Sequence, residues 1–139
     1  MRRSAYRLQG MVIFFLLSCL SLGWSFQAAP DYGKILGKWK IEINADGEYY
    51  YLTLNLRSLN GTLEGTISES MGYFTDVPVS EVVFDGENLK FEFTSPTPPD
   101  GVERLVSAEF KVGVDVMDGV VNVVELGVSA TATATREKL

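Results

Sequence analysis

From Gly37 onward apolar and polar residues alternate with a period of two, and helical spacing never takes over for long. In the first segment Trp39, Ile41, Ile43 and Ala45 alternate with Lys38, Lys40, Glu42 and Asn44, as in a strand with one buried and one wet face. Asp46-Gly47 then offers a turn tolerant of positive φ. The second strand buries Tyr50, Leu52, Leu54 and Leu56 and turns at Asn60-Gly61; the third carries Leu63, Gly65 and Ile67 and ends at Met71-Gly72. In the fourth, Val77 and Val79 share one phase while Val82 and Phe84 share the other, so a β-bulge is expected near Ser80-Glu81.

Asp85-Gly86 leads into a fifth strand with Leu89, Phe91 and Phe93 inside, followed by a stiff polar loop over Ser95–Gly101. The sixth strand has Val106, Ala108, Phe110 and Val112 on one face. The seventh is placed at Met117, Gly119, Val121 and Val123, with Asp118-Gly119 as an alternative turn. The last, Ser129–Thr135, alternates alanine with serine and threonine and is followed by Arg136. Short strands joined in sequence by tight turns predict an all-β fold, an eight-stranded antiparallel up-and-down barrel of lipocalin-like meander, with a sandwich as the competing architecture. Closure removes exposed edges, and the inward Gly65 and Gly119 suit strands that coil sharply.

The N-terminus follows different rules. Arg2, Arg3 and Arg7 precede an uncharged run from Met11 to Leu22 and then small residues, the three regions of a secretory signal. The run is too short to span a bilayer as a helix, so no transmembrane segment is expected in the mature form. Gly23 and Ser25 satisfy the small-residue requirement of a cut before Phe26, giving a signal peptide over 1–25, a lead-in over 26–36 and a barrel domain over 37–139. Export to the periplasm or outside is expected; alternatively, Leu16-Leu17-Ser18-Cys19 resembles a lipobox, and Cys19 would anchor a lipoprotein. Removing residues 1–25 lowers the basic count from 12 to 9 against 18 acids, a net charge of −9 that disfavours nucleic acid and anionic membrane surfaces.

Gly37-x-Trp39 at the start of the first strand and a lone Arg136 after the last resemble the structural signature of the calycin superfamily. The ordered set Gly-x-Trp, Leu-x-Gly-x-Ile, Val-Pro-Val-Ser-Glu-Val, Met-x-Gly and Ala-x-Arg is similar to short bacterial exported lipocalin-like domains of unassigned function. The likeness covers roughly residues 35–137. It implies that Arg136 lies across Trp39 at the closed end of a barrel. Those domains often carry a tryptophan where this chain has Ala132.

The chain contains no histidine, and its one cysteine, Cys19, falls in the signal segment. Histidine general bases, thiol catalysis and the usual zinc and haem ligands are thereby excluded, and no catalytic residue, metal or cofactor is expected. Asn44, Asp46 and Glu48 form only a fragment of a calcium loop. Trp39, Tyr50, Phe91, Phe93, Ala108, Phe110, Ala132 and Ala134 are expected to line the interior, with large residues on early strands and small ones on the last. They predict a non-enzymatic barrel that binds a small hydrophobic ligand, with Tyr50 as the inward hydrogen-bonding group. The alternative is a filled barrel acting as a protein–protein interaction module in the envelope, through the Pro-rich loop or the outward Tyr49 and Tyr51 beside Tyr73 and Phe74. The sequence names no particular protein partner.

Overall fold

A computed structural model describes residues 28–138. The expected signal peptide, its cut before Phe26 and the Cys19 alternative lie outside the described residues. Among the described residues nine strands form one antiparallel sheet: β1 (Gly37–Ala45), β2 (Glu48–Leu59), β3 (Thr62–Glu69), β4 (Val77–Pro78), β5 (Ser80–Phe84), β6 (Asn88–Thr97), β7 (Val102–Val112), β8 (Val116–Val123) and β9 (Val128–Arg136). Their spatial order is β4-β3-β2-β1-β9-β8-β7-β6-β5, so the last strand pairs with the first. In that seam Trp39 faces Arg136 and Ile43 faces Ala132. The outermost strands of the order, β4 and β5, are consecutive in the chain, and the sheet curls into a nearly closed barrel.

Nine strands stand where eight were expected because the expected fourth strand is split. Val77 and Pro78 pair with Ile67 and Thr66 on β3, whereas Ser80, Val83 and Phe84 pair with β6. Between the halves, the Val79 N–H donates to the Gly65 carbonyl (3.0 Å). The register shifts between Ser80 and Val83, and Glu81 takes a φ of 48°. A bulge therefore occurs where the apolar phase slips, and it lets one bent segment serve neighbours on both sides of the closing corner.

Two further expectations are corrected. Ser95, Pro96 and Thr97 belong to β6 and pair with Arg104, Glu103 and Val102 on β7, so the turn is confined to residues 98–101. Their polarity reads as loop, yet Ser95 and Thr97 are buried. Burial of Thr97 is tolerated because its hydroxyl donates to the Val102 carbonyl (3.2 Å) and accepts from Arg104 Nη1 (2.8 Å). Asp118-Gly119 is not a turn but mid-strand in β8.

The core follows the alternating phase, with the inward residues of β1, β2, β6, β7 and β9 in one cluster. The lead-in contributes too. Residues Tyr32–Lys34 form a 3₁₀ turn whose start is fixed by Asp31 accepting from the Gly33 N–H (3.0 Å), and Ile35 is then fully buried beneath the barrel. A second 3₁₀ turn, Val124–Leu126, links β8 to β9.

Candidate functional site

An up-and-down barrel sends its connections alternately to two ends, and here the ends differ in chemistry. One end carries the lead-in, the turns at 60–61, 85–87 and 113–115, and the chain after Arg136. The other carries the connections at 46–47, 70–76, 98–101 and 124–127.

The first end is plugged. Trp39 is fully buried, and its indole N–H donates to the Ile35 carbonyl (2.8 Å). The Arg136 guanidinium carbon lies 4.2 Å from the centre of the Trp39 ring. The Arg136 fork continues to the backbone of the lead-in, Nη1 donating to the Leu36 carbonyl (2.7 Å) and Nη2 to the Lys34 carbonyl (2.5 Å). Asp115 accepts from the third side, 3.4 Å from Nε. Gly37 leads into this arrangement with φ 108°, a conformation that residues bearing a Cβ rarely adopt. Gly37, Trp39 and Arg136 are thus brought together.

The eight residues expected along the interior are also brought to one face of the sheet. Seven of them, all but Tyr50, are at most 4% exposed. Phe91 is the middle of a ring stack, 6.2 Å from Phe110 and 6.3 Å from Phe93, and Phe74 from the 70–76 connection covers Phe93 at 6.1 Å. The small residues of β8 and β9 stand across from larger ones: Ala134 is flanked by Ile41 on β1 and Met117 on β8, and Ala132 by Ile43 and Gly119. At Gly119 the neighbouring backbone fills the space that a side chain would take. A Cβ there would run into the Glu109 carbonyl and come within 2.8 Å of the Phe110 Cα. Two open depressions lie on the wall, one near Glu81, Lys90, Glu92 and Glu109, the other near Asn55, Arg57, Glu64 and Pro78. Their linings are dominated by the outward phase of the strands.

Tyr50 differs from the other seven. It is half-buried at the rim, and its hydroxyl donates outward to Glu48 Oε2 (2.8 Å). That bond, with partial burial, raises the phenol's pKa above its ordinary value. It is therefore engaged at the mouth and does not offer its hydroxyl to the interior.

The Asn44–Glu48 segment uses its oxygens within the hairpin. Asn44 Oδ1 accepts from the Gly47 N–H (2.9 Å), and Glu48 takes the Tyr50 proton donor. Among the described residues no group of three carboxylates, histidines or cysteines is arranged to hold a metal ion. Two carboxylates have lowered pKa values, each for a local reason. Asp100 is held down by the Arg104 guanidinium, which bonds both its oxygens at 2.7 Å. Asp85 is held down by the backbone N–H groups of Asn88 and Glu87. Neither shift arises from a cleft, so both read as devices of turn structure.

Around the unplugged end, large apolar groups stay exposed: Met71 (80%), Tyr73 (74%), Tyr49 (53%) and Tyr51 (49%). Tyr49 and Tyr51 project from the outer face of β2, next to the chain leaving β3, where the Ser70 N–H donates to the Tyr51 carbonyl (2.9 Å). Glu69 Oε2 accepts from the N–H groups of Met71 (2.7 Å) and Tyr73 (3.3 Å), which presents both side chains on a fixed loop. Sequence reading found the tyrosines but not Met71 or the Arg104–Asp100 fork, because nothing in a local pattern shows which loop a carboxylate caps. Comparison of the chain with protein-family models, with curated proteins and with solved structures returned no match.

Proposed function

We propose that this protein is a non-enzymatic, exported filled barrel that works through its outer surface as a protein–protein interaction module. The observation that carries the reading is the packing of the interior: Trp39, Phe110 and Ala134 are all 0% exposed. A void large enough for a ligand would leave accessible surface on the side chains that line it. The Arg136–Trp39 stack on a nearly closed meander supports kinship with the calycin barrels, and fold kinship does not carry a ligand with it. The competing reading is a carrier of one small hydrophobic molecule, which requires the packed rings to part.

Ala132→Trp separates the two readings. In a filled barrel the added indole must displace Ile43 or the β8 backbone, lowering stability by about 1 to 3 kcal/mol. The wild type should then leave an environment-sensitive apolar dye unbound. A variant as stable as wild type, together with a wild type that binds the dye and a variant that does not, would overturn the module in favour of the carrier.

A further inference from the structure

We infer that the exposed corner where β1, β2 and the 70–76 connection meet is a docking surface for a cationic segment of another protein, one rich in arginine or lysine with interspersed apolar residues. The inference rests on the reading of the barrel as an interaction module and names the partner's chemistry. Two independent features of the corner select the same charge. The first is aromatic: Tyr49, Tyr51 and Tyr73 are exposed over about half or more of their surface, and the faces of tyrosine rings attract guanidinium and ammonium groups. The second is electrostatic. Glu42 stands directly across from Tyr51 in the β1–β2 ladder, Asp46 and Glu48 occupy the adjoining hairpin, and Glu69 and Asp76 bracket the loop that carries Met71 and Tyr73. Between Lys40 and Lys90 the only basic residue is Arg57. Arg57 lies towards the plugged end and is paired with Glu64 at 3.2 Å.

None of Glu42, Asp46, Glu48, Glu69 and Asp76 forms an ion pair among the described residues. Carboxylates gathered this way repel one another and attract a cation at long range. Met71, 80% exposed near the start of the loop, supplies the adaptable apolar contact that a leucine or valine between the partner's cations would cover. An acidic partner or an anionic membrane would meet five carboxylates against one neighbouring base, Lys40, which precedes Glu42 by two residues in the outward phase of β1.

The test uses the full chain and a fluorescein-labelled peptide of alternating arginine and leucine, with its glutamate-for-arginine counterpart as control, read by fluorescence anisotropy. The arginine peptide should bind, and raising salt from about 0.01 M to about 0.15 M should weaken it by about tenfold, because screening acts on exposed charges. The glutamate peptide should not bind. Tyr51→Thr with Tyr73→Thr, and separately Asp46→Asn with Glu48→Gln, should each weaken binding by about fivefold, the loss expected when a few rim contacts are removed. Glu64→Gln with Glu87→Gln, towards the other end, should leave it unchanged. Thermal unfolding of all variants shows whether a loss of binding reflects a loss of fold. Absence of binding at low salt overturns the inference while leaving the module reading in place. Binding that the two corner variants do not weaken, or that the Glu64/Glu87 variant weakens equally, overturns it as well, since attraction to net charge alone would then suffice. Dye uptake by the interior is the separate result that removes the module reading itself.

Discussion

Replacing Arg136 by alanine tests how the plugged end is held. The substitution deletes the guanidinium over Trp39, the two bonds to the Leu36 and Lys34 carbonyls, and the contact with Asp115. A hydrogen bond from a charged donor contributes about 1.5 to 3 kcal/mol. Only the part-buried Leu36 bond counts in full, because water replaces the donor at the exposed Lys34 carbonyl. The ring contact adds about 1 kcal/mol for a partly desolvated cation–π pair. Asp115 is 48% exposed on its side chain, and such a pair adds between about 0 and 1 kcal/mol. The expected cost is therefore about 2.5 to 5 kcal/mol, which for a domain of this size lowers the melting temperature by about 10 to 20 °C. Denaturant unfolding followed by Trp39 emission, in a Trp24→Phe background so that one indole reports, measures it. Arg136→Lys keeps the charge and loses the fork, so it should recover less than half of the loss. A midpoint within about 0.5 kcal/mol of the parent with unshifted emission would refute the assignment of stability to this contact, and full rescue by lysine would show that charge rather than fork geometry matters.

Gly119→Ala should destabilise the barrel by about 1 to 3 kcal/mol in chemical denaturation, since its Cβ meets β7 backbone rather than a movable side chain; a neutral result would mean that β7 and β8 are not so close. Asp100→Asn tests the Arg104 fork through pH. The folded pKa of Asp100 lies below its unfolded value, so its contribution is present above the ordinary carboxylate range and disappears as pH falls through the folded value. The stability gap between wild type and Asp100→Asn should hold from neutral pH to about pH 4 and close below it; a gap independent of pH would assign it to something other than the carboxylate.

The fold was legible to the extent that burial has a period. Trp39, Ile41 and Ile43, or Leu89, Phe91 and Phe93, show strand and facing together, and even the bulge appears as a phase slip at Ser80-Glu81. Ser95 and Thr97 were not legible, since a buried hydroxyl looks like a loop residue until its partners across the β6–β7 ladder are known. The alanines of β9 show the same limit in the candidate site. A small inward residue leaves space only if its neighbours leave space too; Ile41 and Met117 are brought beside the β9 alanines by pairing with β1 and β8, and the β7 backbone closes the space at Gly119 of β8. Ile35 carries no strand pattern at all, because it is buried by the lead-in folding under the barrel.

The distribution of ion pairs bears on function more than on stability. Lys38–Glu137, Lys111–Glu87 and the Arg136 and Lys138 contacts with Asp115 cluster at the plugged end, while among the described residues the Arg104–Asp100 fork is the one pair at the other. Exposed pairs contribute at most about 1 kcal/mol each, so moving one from end to end would change the folding free energy little. It would change the potential a great deal, because an unpaired carboxylate projects its field into solvent and a paired one does not. Glu48 and Glu69 fix the hairpin and the loop through hydrogen bonds, yet none of the carboxylates around the three exposed tyrosines is paired with a cation among the described residues, and it is this uncompensated charge on which the inference of a cationic partner rests.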